Sequence, residues 1–182
     1  MAYSALALQI ACHAVNSLTA SDARKSILGK IDEISAKIAN SKRFLGADTK
    51  LVVLPEYSLT GFPWGETAPE WIAKAALAPD GPEYEALAKA AADNGIYLAG
   101  NHYETDPKFP DLYFQGCIIF SPFGELVLRY RRLISMFSPS PFDVWDKYLE
   151  MVCLQQSGPL FELVPAPTEV LGSGGPALAL AS

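Results

Sequence analysis

Glu56 carries more chemical information than any other single residue of the chain. It follows directly on the apolar run Leu51-Val-Val-Leu54 and Pro55, and the C-terminal ends of strands are where α/β folds present ligand and catalytic groups. A carboxylate held there and partly withdrawn from water has a raised pKa and can serve as a general base. A solvated residue just past a strand is the other reading of the position. Arg129-Tyr-Arg-Arg132 places three guanidinium groups within four residues. One of them turned toward a cleft would hold a carboxylate or stabilise an oxyanion; all of them turned to water would protect a sheet edge. Cys117, between Gly116 and Ile118, reads as core packing. His102, after Asn101, reads as a structural histidine or as a residue lining a cleft. Cys12, Cys117 and Cys153 are far apart, and His13 and His102 make no metal-ligand spacing with any cysteine pair. No metal is therefore expected.

These groups need a scaffold, and the hydrophobic pattern supplies one. Ala5–Ile10 reads as a buried strand. Thr19-Ala-Ser-Asp22 offers helix-capping residues, and Ile27, Leu28, Ile31, Ile34 and Ile38 follow as one helical stripe, with Lys25, Lys30, Asp32, Glu33 and Lys37 on the other face. Leu51–Leu54 is a second strand, too short and too β-branched for a helix. Trp71–Leu77 predicts a short helix. Asp80-Gly-Pro82 opens another, with Tyr84, Leu87, Ala88 and Ala91 as its stripe and Asn94-Gly95 as its end. Ile96–Gly100 is a third buried strand. The strand–helix alternation is that of βαβ units. Phe114–Phe120 and Glu125–Tyr130 then form a hairpin around Ser121-Pro-Phe-Gly124. Beyond Arg132, Asp143–Val152 reads as a helix, Phe161–Val164 as a strand, and Ala177–Ala181 as an apolar run cut off at Ser182.

Composition narrows the function classes. Of 182 residues, 50% are hydrophobic and 19% charged, which excludes a disordered chain. Fourteen Lys and Arg stand against 20 Asp and Glu, net −6, without a basic cluster, so no nucleic-acid partner is expected. No apolar run approaches the roughly 18 residues of a membrane span, so no membrane partner is expected either. The sparse, odd cysteine count and the absence of a signal-peptide pattern point to a cytoplasmic protein.

In order along the chain, Ala7-Leu-Gln9, Gly46-Ala-Asp48, Leu51-Val-Val-Leu-Pro-Glu56-Tyr-Ser-Leu-Thr-Gly61, Gly95–Gly100 with Tyr103-Glu104, Tyr113–Glu125, Tyr130-Arg-Arg132 and Thr168-Glu-Val with Ala177–Ser182 resemble the carbon–nitrogen hydrolase (nitrilase) superfamily. The resemblance spans nearly the whole chain. It implies an α/β fold, a nitrilase-like α-β-β-α sandwich. Residues 1–182 would form one such domain, incomplete at the C-terminal end. It also implies a Glu–Lys–Cys triad that hydrolyses small amides or nitriles, a small-molecule partner, no cofactor, and pairing of subunits into a homo-oligomer. Carried over residue by residue, Glu56 takes the base position. Arg132 stands where the family has its lysine and Ser182 where it has its cysteine. Tyr57 and Asp143 fall at substrate-binding positions. Arginine keeps the positive charge but is planar and bulkier than a lysine ammonium, and a serine hydroxyl is far less acidic than a thiol. A second reading follows from those two replacements: a catalytically inactive relative with a binding or assembly role.

Overall fold

In the computed structural model, residues 3–131 and the backbone of residues 161–163 are described. Six strands form one sheet in the order β1-β2-β3-β4-β5-β6: β1 Ser4–Ala7, β2 Thr49–Val53, β3 Tyr97–Thr105, β4 Tyr113–Phe120, β5 Leu126–Arg131 and β6 Phe161–Leu163. The first three strands are parallel to one another, and β3 to β6 are antiparallel. Three helices, α1 Ala20–Leu45, α2 Ala68–Ala75 and α3 Pro82–Asn94, fill the two connections between parallel strands.

Parallel neighbours need such crossovers, because a short turn can join only antiparallel strands. Local chemistry sets the helix ends. The Thr19 side chain accepts a hydrogen bond from the Asp22 amide at the start of α1. Thr67 and Glu70 form a capping box on α2. Pro82 begins α3, and Gly95, in the left-handed region at φ 59°, ends it. Arg24 ties the three helices together. Its guanidinium donates to the carbonyls of Ile72, Ala73 and Ala76 at the C-terminal end of α2, and Nη1 lies 3.5 Å from Glu83 of α3.

The apolar stripe of α1 is buried as expected at Ile27, Ile31, Ile34 and Ile38, against Leu87, Ala90 and Ala91 of α3 and the face of the sheet that includes Val52, Leu98 and Ile118. Each such aliphatic side chain contributes roughly 1.5–3 kcal/mol on burial. Two assignments change. Leu28 is only half-buried, whereas Lys30, expected in solvent, is buried. Position 30 lies three after Ile27 and four before Ile34, so it belongs to the stripe by spacing. Its stem is covered while the ammonium reaches Glu33 at 3.1 Å.

The strands deviate at their ends. β1 stops at Ala7 rather than Ile10 and is half-exposed, because it pairs only with β2 and forms the sheet edge. β3 runs five residues past the expected Gly100, through polar residues that carry no alternation signal. The hairpin connection takes five residues, 121–125, rather than four, with the Ser121 hydroxyl accepting from the amides of Phe123 and Glu125. The expected strand Phe161–Val164 is found as Phe161–Leu163. The expected helix Asp143–Val152 and the run Ala177–Ser182 lie outside the described residues.

Tyr97, Ala99, Ile119 and Val127 form a second, smaller apolar cluster, with Leu51 and Leu128 against it. The described residues therefore supply two layers, helices over one sheet, of the four expected. Among them no helix is long and apolar enough to cross a membrane, and no group of three or more potential ligands could hold a metal ion.

Candidate active site

Glu56 is delivered by the end of β2. The Leu54 amide still donates to the Ala99 carbonyl at 2.9 Å, extending the pairing with β3 by one residue, and Pro55 then ends it. Tyr57 adopts φ 57°, the one positive φ among the described non-glycine residues. This conformation is strained for an aromatic residue, and its surroundings hold it there. The Tyr57 carbonyl accepts from the Gly61 amide at 2.9 Å and from Cys12 Sγ at 3.3 Å. Its ring stacks on Tyr103, with centroids 5.7 Å apart, and packs beside Phe62. The left-handed turn brings the side chains of two consecutive residues onto one partner, where an extended backbone would send them to opposite sides.

That partner is Gln115 of β4, which is 2% exposed. Its Nε2 donates to Glu56 Oε1 at 2.5 Å and to Tyr57 Oη at 3.0 Å, and lies 3.3 Å from Asn101 Oδ1. Because β3 and β4 are in register as Asn101↔Cys117 and Tyr103↔Gln115, Asn101 and Gln115 share the sheet face of Ala99 and Ile119. The Glu56 residue itself is exposed. The expectation of a carboxylate withdrawn from water is thus met on one side only, at the buried amide. The site contains an ionisable group on a rigid strand end, oriented by a buried donor, with a phenol beside it.

The loop after Tyr57 is pinned as well. A Cβ on Gly61 (φ 72°) would lie 3.1 Å from the Ala14 backbone, so the chain passes there only as glycine. Asn16 Nδ2 bridges the Phe62 carbonyl and the Glu66 carboxylate, and the Trp64 amide donates to Glu66 at 2.7 Å. Trp64 is nevertheless 81% exposed, its ring edge-on to Phe62.

The arginine stretch does turn inward, but not at Glu56. Arg129 and Arg131 both go to Glu104, which is fully buried. Arg129 donates from Nε at 2.9 Å and from Nη2 at 2.7 Å, and Arg131 from Nε at 2.7 Å. Arg131 Nη2 lies 2.6 Å from the same oxygen without an aligned N–H, so its share is Coulombic. Asp106 takes Arg131 Nη1 at 2.6 Å. The expected charged sheet edge is overturned: β5 is an interior strand, with β6 on its far side. Burial pushes the Glu104 pKa up, but the hydrogen bond from Arg129 and the charges of Arg131 and Arg129 outweigh it and hold the carboxylate below its ordinary range.

Tyr84 of α3 gives its hydroxyl proton to Glu104 at 2.5 Å. His102 Nε2, 2.9 Å from the same phenol, must then be the donor in that contact, so the ring is the neutral Nε2–H tautomer. His102 is therefore a structural histidine. Burial lowers its pKa from 6.5 to about 4, with Glu104 raising it and Arg129 lowering it further. The sign follows from proton binding. Below pH 6.5 the unfolded chain takes up a proton that the folded chain refuses until about pH 4, so stability is lost as pH falls through that window. We expect unfolding in urea to require about 2 kcal/mol less at pH 5 than at pH 7, on the order set by such a difference in proton affinity. His13, also lowered, acts in the same direction, so His102→Gln should remove most of the slope but not all of it. An unchanged slope in that variant would exclude His102 as its source.

Of the expected site residues, then, the structure brings Glu56 and Tyr57 together around Gln115. Arg132, Asp143 and Ser182 lie outside the described residues. Gln115 and Asn101 were not singled out from sequence. Asn101 follows directly on the expected third strand and Gln115 lies within the expected hairpin strand, but their diagonal placement across β3 and β4 has no signal in the sequence. Cys117 is half-buried, and burial pushes its thiol pKa up, as suits a packing residue.

A family model described as carbon–nitrogen hydrolase matches residues 9–169. Among curated proteins, the chain is 32% identical over 123 residues to a formamidase of Bradyrhizobium diazoefficiens, covering 68% of this chain and 34% of that one. It is 28% identical over 139 residues to a formamidase of Bacillus cereus, covering 75% and 40%. The chain thus spans roughly a third of the length of the curated relatives it matches. Among solved structures it resembles a carbon–nitrogen hydrolase from Helicobacter pylori (TM-score 0.54, 16% identity, 72% of this chain and 40% of that one). It also resembles Saccharomyces cerevisiae Nit3, a member of branch 10 of the nitrilase superfamily (TM-score 0.50, 24% identity, 66% and 42%). These likenesses show a shared fold over part of each chain.

Proposed function

We propose a function from one premise: the chain belongs to the carbon–nitrogen hydrolase family. The reaction we assign is hydrolysis of a small amide to its acid and ammonia, with Glu56 as general base and then general acid. The observation that carries this assignment is the Glu56 carboxylate at the end of β2, bonded through one oxygen to the buried Gln115 amide. A base must be fixed in direction before it can take a proton in a productive geometry.

In this reading the carboxylate accepts the proton of an attacking hydroxyl, whose oxygen bonds to the amide carbon. The nucleophile position falls on Ser182, and the cation that stabilises the resulting oxyanion is Arg132, both by their place in the family pattern. Collapse of the tetrahedral species breaks the C–N bond, and the nitrogen leaves as ammonia with the proton held on Glu56. The Glu56 carboxylate then takes a proton from water, whose oxygen adds to the acyl carbon; collapse breaks the bond to the nucleophile oxygen, which takes that proton from Glu56 as the acid leaves, so both groups return to their starting forms. Tyr57, beside Glu56, and Asp143 contact the substrate. The formamidase names of the relatives favour amides with short acyl groups as the substrate class. No organic cofactor enters this chemistry. A cytoplasmic location and self-association belong to the same proposal.

The test is ammonia release from formamide and acetamide by the full chain, measured in an enzyme-coupled assay. Release that is saturable in amide and scales with protein concentration is the expected result. No release above the background of a heat-denatured sample would overturn the proposal and leave an inactive relative.

A further inference from the structure

We propose that a single buried water binds between the Ser58 hydroxyl and Nδ1 of His102, and that it joins the turn carrying Glu56 to the buried network around Glu104. The inference is independent of the reaction assigned to the chain. It begins with one hydroxyl. Ser58 is 1% exposed, and its Oγ has no hydrogen-bond partner among the described residues. In the unfolded chain that hydroxyl bonds to water, so burying it alone forfeits a hydrogen bond. The backbone around it is engaged. The Ser58 amide donates to the Pro55 carbonyl at 3.3 Å, and the Ser58 carbonyl accepts from the His13 amide at 3.3 Å. These bonds hold the side chain inside.

Ser58 lines a cavity between the sheet and α3, with about 10 Å³ of room for the centre of a water molecule. That is the space one water needs. The wall is apolar at Leu54, Leu87, Leu98, Ile118 and Phe120, all 6% exposed or less. No charged side chain lines it, so an ion finds neither the room nor the counter-charge. A wholly apolar cavity of this size would stay dry, but His102 lines this one together with Ser58. Because His102 Nε2 donates to the Tyr84 phenol, Nδ1 keeps a lone pair and carries no proton. A water between the two residues donates to Nδ1 and bonds to the Ser58 hydroxyl as donor or acceptor. Two polar partners suffice to hold it. Ser58 lies two residues after Glu56, and Tyr84 passes its own proton to Glu104. The water therefore completes a line of hydrogen bonds from the turn to the ion cluster and fixes the His102 ring through both nitrogens.

Three measurements test this. A crystal structure of the chain, at a resolution that shows single waters, should have density within hydrogen-bond distance of both Ser58 Oγ and His102 Nδ1. Well-defined density for both side chains with none between them would overturn the proposal. This test needs no variant and so holds even if a substitution at Ser58 fails to fold. In solution, the nitrogen-15 resonance of His102 Nδ1 is compared at neutral pH between the parent and Ser58→Ala. Deleting the hydroxyl removes one of the two bonds that hold the water, so the resonance should move toward that of an unbonded imidazole nitrogen. A resonance that stays where it is in the parent counts against a shared water and sinks the idea. The sign of the stability change is the third test. Ser58→Ala should melt about 2–4 °C below the parent, the shift that loss of one net hydrogen bond causes in a chain of this size. Removing a hydroxyl that has no partner at all would leave the melting temperature unchanged or raise it, and either result would refute the water site.

Discussion

Glu104→Ala is expected to lower the stability of the chain by about 3–5 kcal/mol, the cost of removing one partner from a buried ion pair. The carboxylate is fully buried and accepts from two arginines and a tyrosine. Deleting it leaves the Arg131 guanidinium, 9% exposed, with Asp106 alone, and leaves the Tyr84 hydroxyl without its acceptor. Arg131 also lies over the Phe114 ring at 4.3 Å, which offsets only a small part of the loss. A domain of this size has roughly 5–15 kcal/mol to lose, so the variant should melt about 10 °C lower. Arg129→Ala should cost far less, because that side chain is 38% exposed and water already screens it. The pH dependence has a definite sign. The folded-state pKa of Glu104 is lowered, so its contribution is present above the ordinary glutamate range and lost as the solution is acidified through the folded value. Thermal melts of the two variants beside the parent decide the matter: a Glu104→Ala melting point within about 3 °C of the parent would mean that burial of this cluster is not what holds β3, β4 and β5 together.

That cluster also marks where the sequence became hard to read. The long helices were legible because their stripes repeat at three and four residues and their ends carry Thr19, Pro82 and Gly95; the short helix expected at Trp71–Leu77 is Ala68–Ala75, its start set by a Thr67–Glu70 capping box that was not read. The later part of β2 and the first half of β3 were legible as apolar runs. The last five residues of β3 were not, since Asn101, His102, Glu104 and Thr105 look like a loop until arginines 25 and 27 residues away are brought beside Glu104. A buried charge network has no local signature: each member is polar, and only their meeting makes burial tolerable. Lys30 shows the reverse case. Its spacing placed it on the buried stripe, but its charge argued for solvent. At the site, Glu56 was visible from its place after an apolar strand. Gln115 was not, because its meaning comes from a contact 59 residues back along the chain. The arginines were expected first of all to protect a solvated sheet edge, with an inward-facing guanidinium as the other reading; the structure has the second, and a stretch of sequence does not state which acid they face. Glu104 competes for Arg129 and Arg131, and its full burial makes it the stronger claimant. At Tyr57 neither the local pattern nor the family resemblance foresaw the left-handed backbone, since no propensity argument predicts a tyrosine there.

Glu56→Gln is expected to lower kcat/KM for a short amide by at least about 100-fold, the lower part of the range for loss of a general base. The substitution is nearly isosteric. The new amide can turn its carbonyl oxygen toward Gln115 Nε2 and keep the 2.5 Å contact in kind, so the strand end and the Tyr57 turn need not move. What disappears is the ability to take a proton. Because the residue is exposed, its stability should stay within about 0.5 kcal/mol of the parent, which separates this variant from Glu104→Ala. Glu56→Asp makes a sharper comparison. It keeps a proton acceptor but withdraws the carboxylate by one methylene, away from the Gln115 anchor and from the nucleophile. If direction matters as much as basicity, Glu56→Asp should lose activity nearly as severely as Glu56→Gln, since a misplacement of about 1 Å alone costs about 100-fold. Full activity in Glu56→Gln would place the base elsewhere in the chain. A large loss in Glu56→Gln with little loss in Glu56→Asp would mean that the carboxylate acts by charge alone, and that its fixed orientation on Gln115 serves the fold rather than the reaction.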